Sequence, residues 1–156
     1  MAKKKNESDR SIATNRRAYH DYEILEKLEV GISLMGSEVK SLRAGRLSLK
    51  ESFIGFEHGE AFLLEAHIPI YPQAGPQNHE PKRRRKLLMK KKEILNWARK
   101  AEATGYTVVP LSLYFKGSWI KVEIGHGRGR KNYDKRQKIK EQDHKREMAR
   151  ALRNRG

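Results

Sequence analysis

The chain has 156 residues, of which 37% are apolar and 35% charged, with no cysteine and a formal net charge of +16. That length suits one domain with extensions, and the lack of cysteine excludes disulfides, thiolate metal sites and cysteine nucleophiles. The start, MAKKKNESDR, is charged but leads into no apolar stretch, and every apolar run is far too short to span a bilayer, so a soluble cytoplasmic protein is expected.

The charge is unevenly distributed. Residues 1–19 hold six basic and two acidic side chains, 81–100 hold ten and one, and 125–156 hold twelve and four, whereas 20–80 are net −5 and 101–124 neutral. A protein that needs charge only for solubility mixes its signs. Three basic blocks on a body that is not basic point to a polyanion whose phosphates they follow.

Residues 1–18 read as a flexible basic arm that orders only at Asn15, Arg16 and Arg17. From 22 to 34 the even positions are Tyr22, Ile24, Glu26, Leu28, Val30, Ile32 and Leu34, while the odd ones are mainly Glu23, Lys27, Glu29, Gly31 and Ser33, which predicts a long strand that bends at Gly31. Val39 and Leu42, three apart, with Gly45 as a stop, predict a short helix over 37–44. Strands over 52–56 and 60–66 are expected to form a hairpin around His58 and Gly59. Four prolines and Gly75 make 69–81 a loop.

That loop ends in Lys82-Arg83-Arg84-Arg85-Lys86. The run fits a nuclear address or a solvated loop, but its place before a basic helix favours phosphate binding. A helix is predicted over 87–103, with Leu87, Leu88, Ile94, Leu95, Ala98 and Ala101 on one side and Gly105 as its stop. Strands over 106–115 and 118–124 turn at Lys116 and Gly117, with Leu111, Leu113 and Phe115 on one core face and Ile120, Val122 and Ile124 on the other. The order predicts a mainly β protein with helices: an OB-like antiparallel β-barrel of about five to six strands with two helices over 19–124, followed by a basic C-terminal tail.

In Gly125-His126-Gly127-Arg128-Gly129 the sixth position is Arg130, which rules out a dinucleotide fingerprint. The three glycines read instead as a hinge for a tail spanning 125–156. Asp134 precedes Lys138 by four, Glu141 precedes Lys145 by four and Glu147 precedes Arg150 by three. These acid-first pairs favour a helix that is too weak to form alone, so the tail is expected to be disordered when free and helical along RNA. The six histidines show no metal-ligand spacing, and Glu23, Glu26, Glu29 and Glu38 look like a solvated face, so no catalytic, metal or cofactor site is expected.

Asn15-Arg16-Arg17-Ala18-Tyr19-His20-Asp21-Tyr22, Gly36-Ser37-Glu38-Val39-Lys40-Ser41-Leu42-Arg43-Ala44-Gly45, Arg85-Lys86-Leu87-Leu88, Gly105-Tyr106-Thr107-Val108-Val109-Pro110-Leu111 and Lys131-Asn132-Tyr133-Asp134-Lys135-Arg136 stand in one order along the chain. Together they resemble the bacterial SmpB family (small protein B, SsrA-binding protein), nearly end to end. The resemblance implies a non-enzymatic adaptor that holds the tRNA-like domain of transfer-messenger RNA and serves trans-translation, the rescue of stalled ribosomes. It places RNA contacts on Asn15, Arg16, Arg17, Glu29, Lys40, Arg43, Lys86, Leu88 and Lys121. It implies a tail entering the decoding centre and mRNA path, started by Tyr133, Asp134, Lys135 and Arg136, with Arg128, Arg130, Lys131, Lys138, Lys140, Lys145 and Arg146 as its ribosome-binding cations. Arg128 and Arg130 stand where the family commonly has lysine, which keeps the charge and adds forked phosphate contacts.

The implied partners are transfer-messenger RNA and the ribosome, with elongation factor Tu reached through the same RNA complex; the protein is expected to be a monomer. Two other readings stay open: a ribosomal protein or assembly factor that binds rRNA, and an RNA-processing enzyme, which would need a catalytic carboxylate or histidine cluster.

Overall fold

The computed structural model describes residues 10–130 and 146–151. Strand β1 (Arg10–Thr14) and helix α1 (Arg16–Asp21) lead into the long strand β2 (Tyr22–Ile32), helix α2 (Gly36–Arg43) and the hairpin of β3 (Phe53–Glu57) and β4 (Glu60–Leu64). A 3-10 segment (Pro72–Gln77), β5 (Arg85–Leu88), α3 (Lys91–Glu102), β6 (Tyr106–Lys116) and β7 (Trp119–Gly129) follow. The strands form one antiparallel sheet in the order β1-β6-β7-β2-β5-β4-β3. It curls until β3 packs against β6. The OB-like expectation holds for the antiparallel sheet and its helices, but the hydrogen-bonded ladder is an open sheet, not a closed barrel, among the described residues.

Several boundaries differ from those predicted, each for a tertiary reason. Residues 10–18 are no loose arm: β1 pairs with β6, and Asn15 caps α1, which starts at Arg16. The predicted helix over 87–103 divides. Arg85 and Leu87 point inward while Lys86 and Leu88 point out, and this alternation pairs with both β4 and β2, so the segment is a strand. Helix α3 begins only at Lys91, where the Glu93 carboxylate accepts the Lys90 N–H at 3.0 Å. It buries Ile94 and Trp97 and leaves Leu95 exposed. The β3–β4 turn forms at His58 and Gly59, both with positive φ, as a two-residue hairpin requires.

Two β-bulges decide which side chains meet. The register of β2 against β7 slips between Ile24 and Glu26, and that of β6 against β7 between Pro110 and Ser112. One extra residue in a strand moves everything beyond it to the other face. Leu28, Val30 and Ile32 therefore join the main core with Val108, Leu113, Val122 and Ile124, while Tyr22 and Ile24 pack on the opposite face with Ala18, Val109 and Leu111. The single continuous face expected for 22–34, and the shared face of Leu111 and Leu113, are both corrected by these bulges.

The glycines of 125–129 are not a hinge. They lie inside β7 and pair with β2 on one side and β6 on the other. A β-carbon on Gly127 would stand 2.9 Å from Tyr22 Cβ and 3.2 Å from Ile24 Cδ1, so the missing side chains make room for the second apolar cluster beneath α1. Arg128 is held in the same strand. Its guanidinium donates to Glu23 at 2.5 Å, which keeps the Glu23 carboxyl below its usual range. Any change of tail direction therefore starts no earlier than Arg130.

Between α2 and β5 the core contains a fully buried ion pair. The Arg85 guanidinium donates to Glu38, to the Ala66 carbonyl at 2.7 Å and to the Pro81 carbonyl at 2.9 Å. Glu38 also accepts Arg83 at 2.5 Å and the Met35 N–H at 2.8 Å, so every charge taken from water is repaid by several hydrogen bonds. Nearby, buried His79 donates from Nε2 to the Ile68 carbonyl, and its Nδ1 accepts the Ser37 hydroxyl, each at 2.8 Å. The 69–81 loop is tied down by these contacts rather than left free.

Candidate nucleic-acid interface

The outward face of the sheet carries the candidate site. Beyond its bulge β2 turns Glu29 and Gly31 outward, and β7 turns out Trp119, Lys121 and Glu123, out of phase with the buried Val122 and Ile124. On β5 the outward residues are Lys86 and Leu88. One row crosses four strands: Tyr114 faces Lys121, Lys121 faces Gly31, and Gly31 faces Leu88. Having no side chain, Gly31 leaves a trough between Lys121 and Leu88. A cleft of about 410 Å³ opens there, lined also by Val39 of α2, Trp119 and Ile120.

Glu29 sits one step along the same face. It accepts the Tyr114 hydroxyl and the Lys116 ammonium, the latter at 3.0 Å, and these two bonds hold its carboxyl below the usual range. The Tyr114 hydroxyl is correspondingly pushed up, by burial and by Glu29. A carboxylate fixed in its charged state can accept hydrogen bonds from base or ribose donors, which a purely basic surface cannot do. Lys86, paired with Glu60 at 3.0 Å, completes the patch.

Of the nine residues expected to touch RNA, the fold therefore gathers Glu29, Lys86, Leu88 and Lys121. Lys40 and Arg43 lie exposed on α2, which borders the cleft through Val39, and the Lys40 ammonium stands 5.6 Å from the centre of the Tyr71 ring. Arg16 and Arg17 are exposed on α1. Asn15 is different: it is buried, accepts the Ala18 N–H at 3.2 Å and donates to the Pro110 carbonyl at 2.9 Å, so its amide caps α1 and pins it to β6. Sequence alone does not separate these two uses of an asparagine beside arginines.

The basic run over 82–86 is spent more internally than expected. Arg85 is sealed in the core, Arg83 braces Glu38, Lys82 faces Glu65 at 3.6 Å, and Arg84 bonds Glu57 at 2.5 Å while lying over the Phe62 ring. The exposed pairs are worth little in water and exchange readily for phosphate; the buried one does not. Of the expected tail residues, Arg128 and Arg130 lie at the end of the sheet and Arg146 in an exposed helical stretch, 146–151. Lys131, Tyr133, Asp134, Lys135, Arg136, Lys138, Lys140 and Lys145 lie outside the described residues. Among the described residues no cluster of three His, Asp or Glu side chains is placed to hold a metal ion.

Residues 12–154 match the family model of the SmpB protein. The chain belongs to the SmpB family. It is 52% identical over 145 residues to the SsrA-binding protein of Carboxydothermus hydrogenoformans, covering 93% of this chain and 97% of that one. Against the SsrA-binding protein of Ligilactobacillus salivarius it is 47% identical over 156 residues, the whole of both chains. A solved structure described as "tmRNA-SmpB: a journey to the center of the bacterial ribosome" aligns with a TM-score of 0.64 at 48% identity, over 75% of this chain and 82% of that one.

Within this SmpB-family sheet, Gly31, Tyr114 and Trp119 escaped the sequence reading. For Trp119 a signal existed: Ile120, Val122 and Ile124 already define an inward face, so Trp119 must share the outward phase of Lys121. For Gly31 none did, because a glycine in a strand reads equally as a bend or as a gap.

Proposed function

We propose that this chain is an RNA-binding adaptor that holds the tRNA-like domain of transfer-messenger RNA on its outer sheet face and brings it to stalled ribosomes for trans-translation. The observation that carries this reading is the convergence of Glu29, Lys86, Leu88 and Lys121 around the trough at Gly31, in a chain of the SmpB family. A patch that combines cations, a fixed acceptor and apolar surface suits a folded RNA with exposed bases better than it suits uniform duplex.

The tail beyond Arg130 is assigned to the decoding centre and mRNA path, where phosphates balance its charge and order it as a helix. Elongation factor Tu joins through the same RNA complex, the protein acts as a monomer in the cytoplasm, and the chemistry of rescue belongs to its partners.

The test is a paired assay on full-length protein and on a truncation after Lys131. The full chain should bind the tRNA-like RNA in preference to bulk rRNA and support peptide tagging on stalled ribosomes; the truncation should keep the binding and lose the tagging. Equal loss of both would overturn the division of labour, and preference for bulk rRNA would favour a ribosomal or assembly role.

A further inference from the structure

The end of β7 is tied to both of its neighbours by side chains as well as by the ladder. Glu23 of β2 and Tyr106 of β6 both stand opposite Arg128, so the three side chains form one row across three strands. The Arg128 guanidinium donates to Glu23 at 2.5 Å, and this bond raises it above its ordinary range, with Tyr106 adding in the same sense. One residue on, the Gly129 N–H donates to the Gly105 carbonyl at 3.0 Å, and Arg130 reaches the Tyr19 carbonyl at 3.4 Å. Arg128 first and then Arg130 lower the Glu23 carboxyl, so one carboxylate faces both arginines that flank Gly129. The Arg128 side chain is 29% exposed, against 52% for Arg84 and 50% for Lys86, and is the least open of the three to a phosphate.

Resting on the assignment of the chain beyond Arg130 to the decoding centre, we infer that Glu23 is a positioning residue for ribosome rescue. Through Arg128 it fixes the last rungs of β7, and with them the direction in which the chain leaves the sheet. Every residue beyond Arg130 inherits that direction, because an error in angle at the root grows with distance along the chain. A root held by the fold also leaves less conformational entropy to be lost when the residues beyond it are ordered on a partner. Arg128 serves Glu23 rather than ribosomal phosphate. The two roles make opposite demands on the carboxylate: neutralising Glu23 frees a cation meant for phosphate, whereas it breaks a latch.

The experiment compares full-length variants in two assays, affinity for the tRNA-like domain of transfer-messenger RNA and peptide tagging on stalled ribosomes. Glu23→Gln should leave the affinity unchanged and raise the protein concentration needed for half-maximal tagging about 5- to 30-fold, the usual order for ordering the backbone of one further residue. Amide hydrogen exchange should speed up at Gly129 and stay as in wild type at the buried Val122 and Ile124, the signature of a frayed root on an intact core. The charge swap Glu23→Arg with Arg128→Glu should restore both tagging and Gly129 protection, which a phosphate contact at Arg128 could not do. Arg128→Ala should leave the salt slope of log ribosome affinity unchanged. Tagging by Glu23→Gln at or above the wild-type level overturns the inference, as does an equal loss of RNA affinity or a swap that fails to rescue. A salt slope reduced in magnitude by about 0.7–0.9 in Arg128→Ala, the share of one phosphate, overturns it too. If the truncation after Lys131 still supports tagging, the assignment of the tail itself fails; if the truncation loses tagging and Glu23→Gln does not, only the latch fails.

Discussion

Gly125 lies against the Leu111 side chain: a β-carbon on this glycine would stand 2.7 Å from Leu111 Cδ1 and 3.2 Å from Ile24 Cγ2. Leu111 is fully buried, and its Cγ would stand 3.0 Å from the added carbon, so the leucine as well as its terminal methyl must give way. The glycine is thus a packing requirement of the second apolar cluster.

Gly125→Ala should therefore destabilise the fold by about 1–3 kcal/mol through overpacking. Gly36→Ala, where no atom lies within 4 Å of the added carbon and φ is ordinary, should change stability by less than about 0.5 kcal/mol. Urea unfolding of both variants checks this. A hinge at Gly125 would leave both near wild type.

Removing the Glu38 carboxylate strands the Arg85 guanidinium in the core. Glu38→Gln should cost about 3–5 kcal/mol in chemical denaturation, the usual loss when one member of a buried pair goes. Burial alone would raise the Glu38 carboxyl, but the hydrogen bonds from Arg83, the Met35 N–H and Arg85 hold it below its ordinary value of 4.5. A carboxyl lowered in the folded state contributes stability that is complete above the unfolded value and is lost as pH falls through the folded one. Wild-type stability should accordingly decline below about pH 4.5, and the Gln variant should decline less steeply there.

Asn15→Ala removes both the cap of α1 and the donor to the Pro110 carbonyl. It should lower stability by about 1–2 kcal/mol in thermal melts. Because the Asn15 amide is turned inward, RNA affinity measured well below the melting temperature should fall less than in Arg16→Ala or Arg17→Ala, whose side chains are exposed.

Lys121→Ala and Lys86→Ala should each weaken RNA binding and reduce the magnitude of the salt slope of log affinity by about 0.7–0.9, the share of one phosphate contact. Arg84→Ala, outside the trough, should alter both less. Filter-binding titrations at several salt concentrations read the slopes directly. An unchanged slope in all three variants would contradict the electrostatic role of the patch.

The elements themselves were legible because their signals are local. Alternation along β2, the turn chemistry at His58 and Gly59 and the hairpin at Gly117 are written in neighbouring residues, as is the charge asymmetry that pointed to a polyanion. The family resemblance implied RNA contacts at Glu29, Lys86, Leu88 and Lys121, and the sheet puts all four on one face. Which arginine of the 82–86 run faces solvent, and whether Asn15 points in or out, depends on what packs opposite.

By itself, then, the sequence determined the β-rich architecture, the basic blocks and the family. The tertiary structure decided that Gly125 and Gly127 are packing sites within a strand, that Arg85 is a core residue, and that Gly31 opens a slot beside Trp119. The reason is register. A single-residue bulge reverses the face of every residue beyond it, and no pattern within the bulged strand shows where its partner will slip.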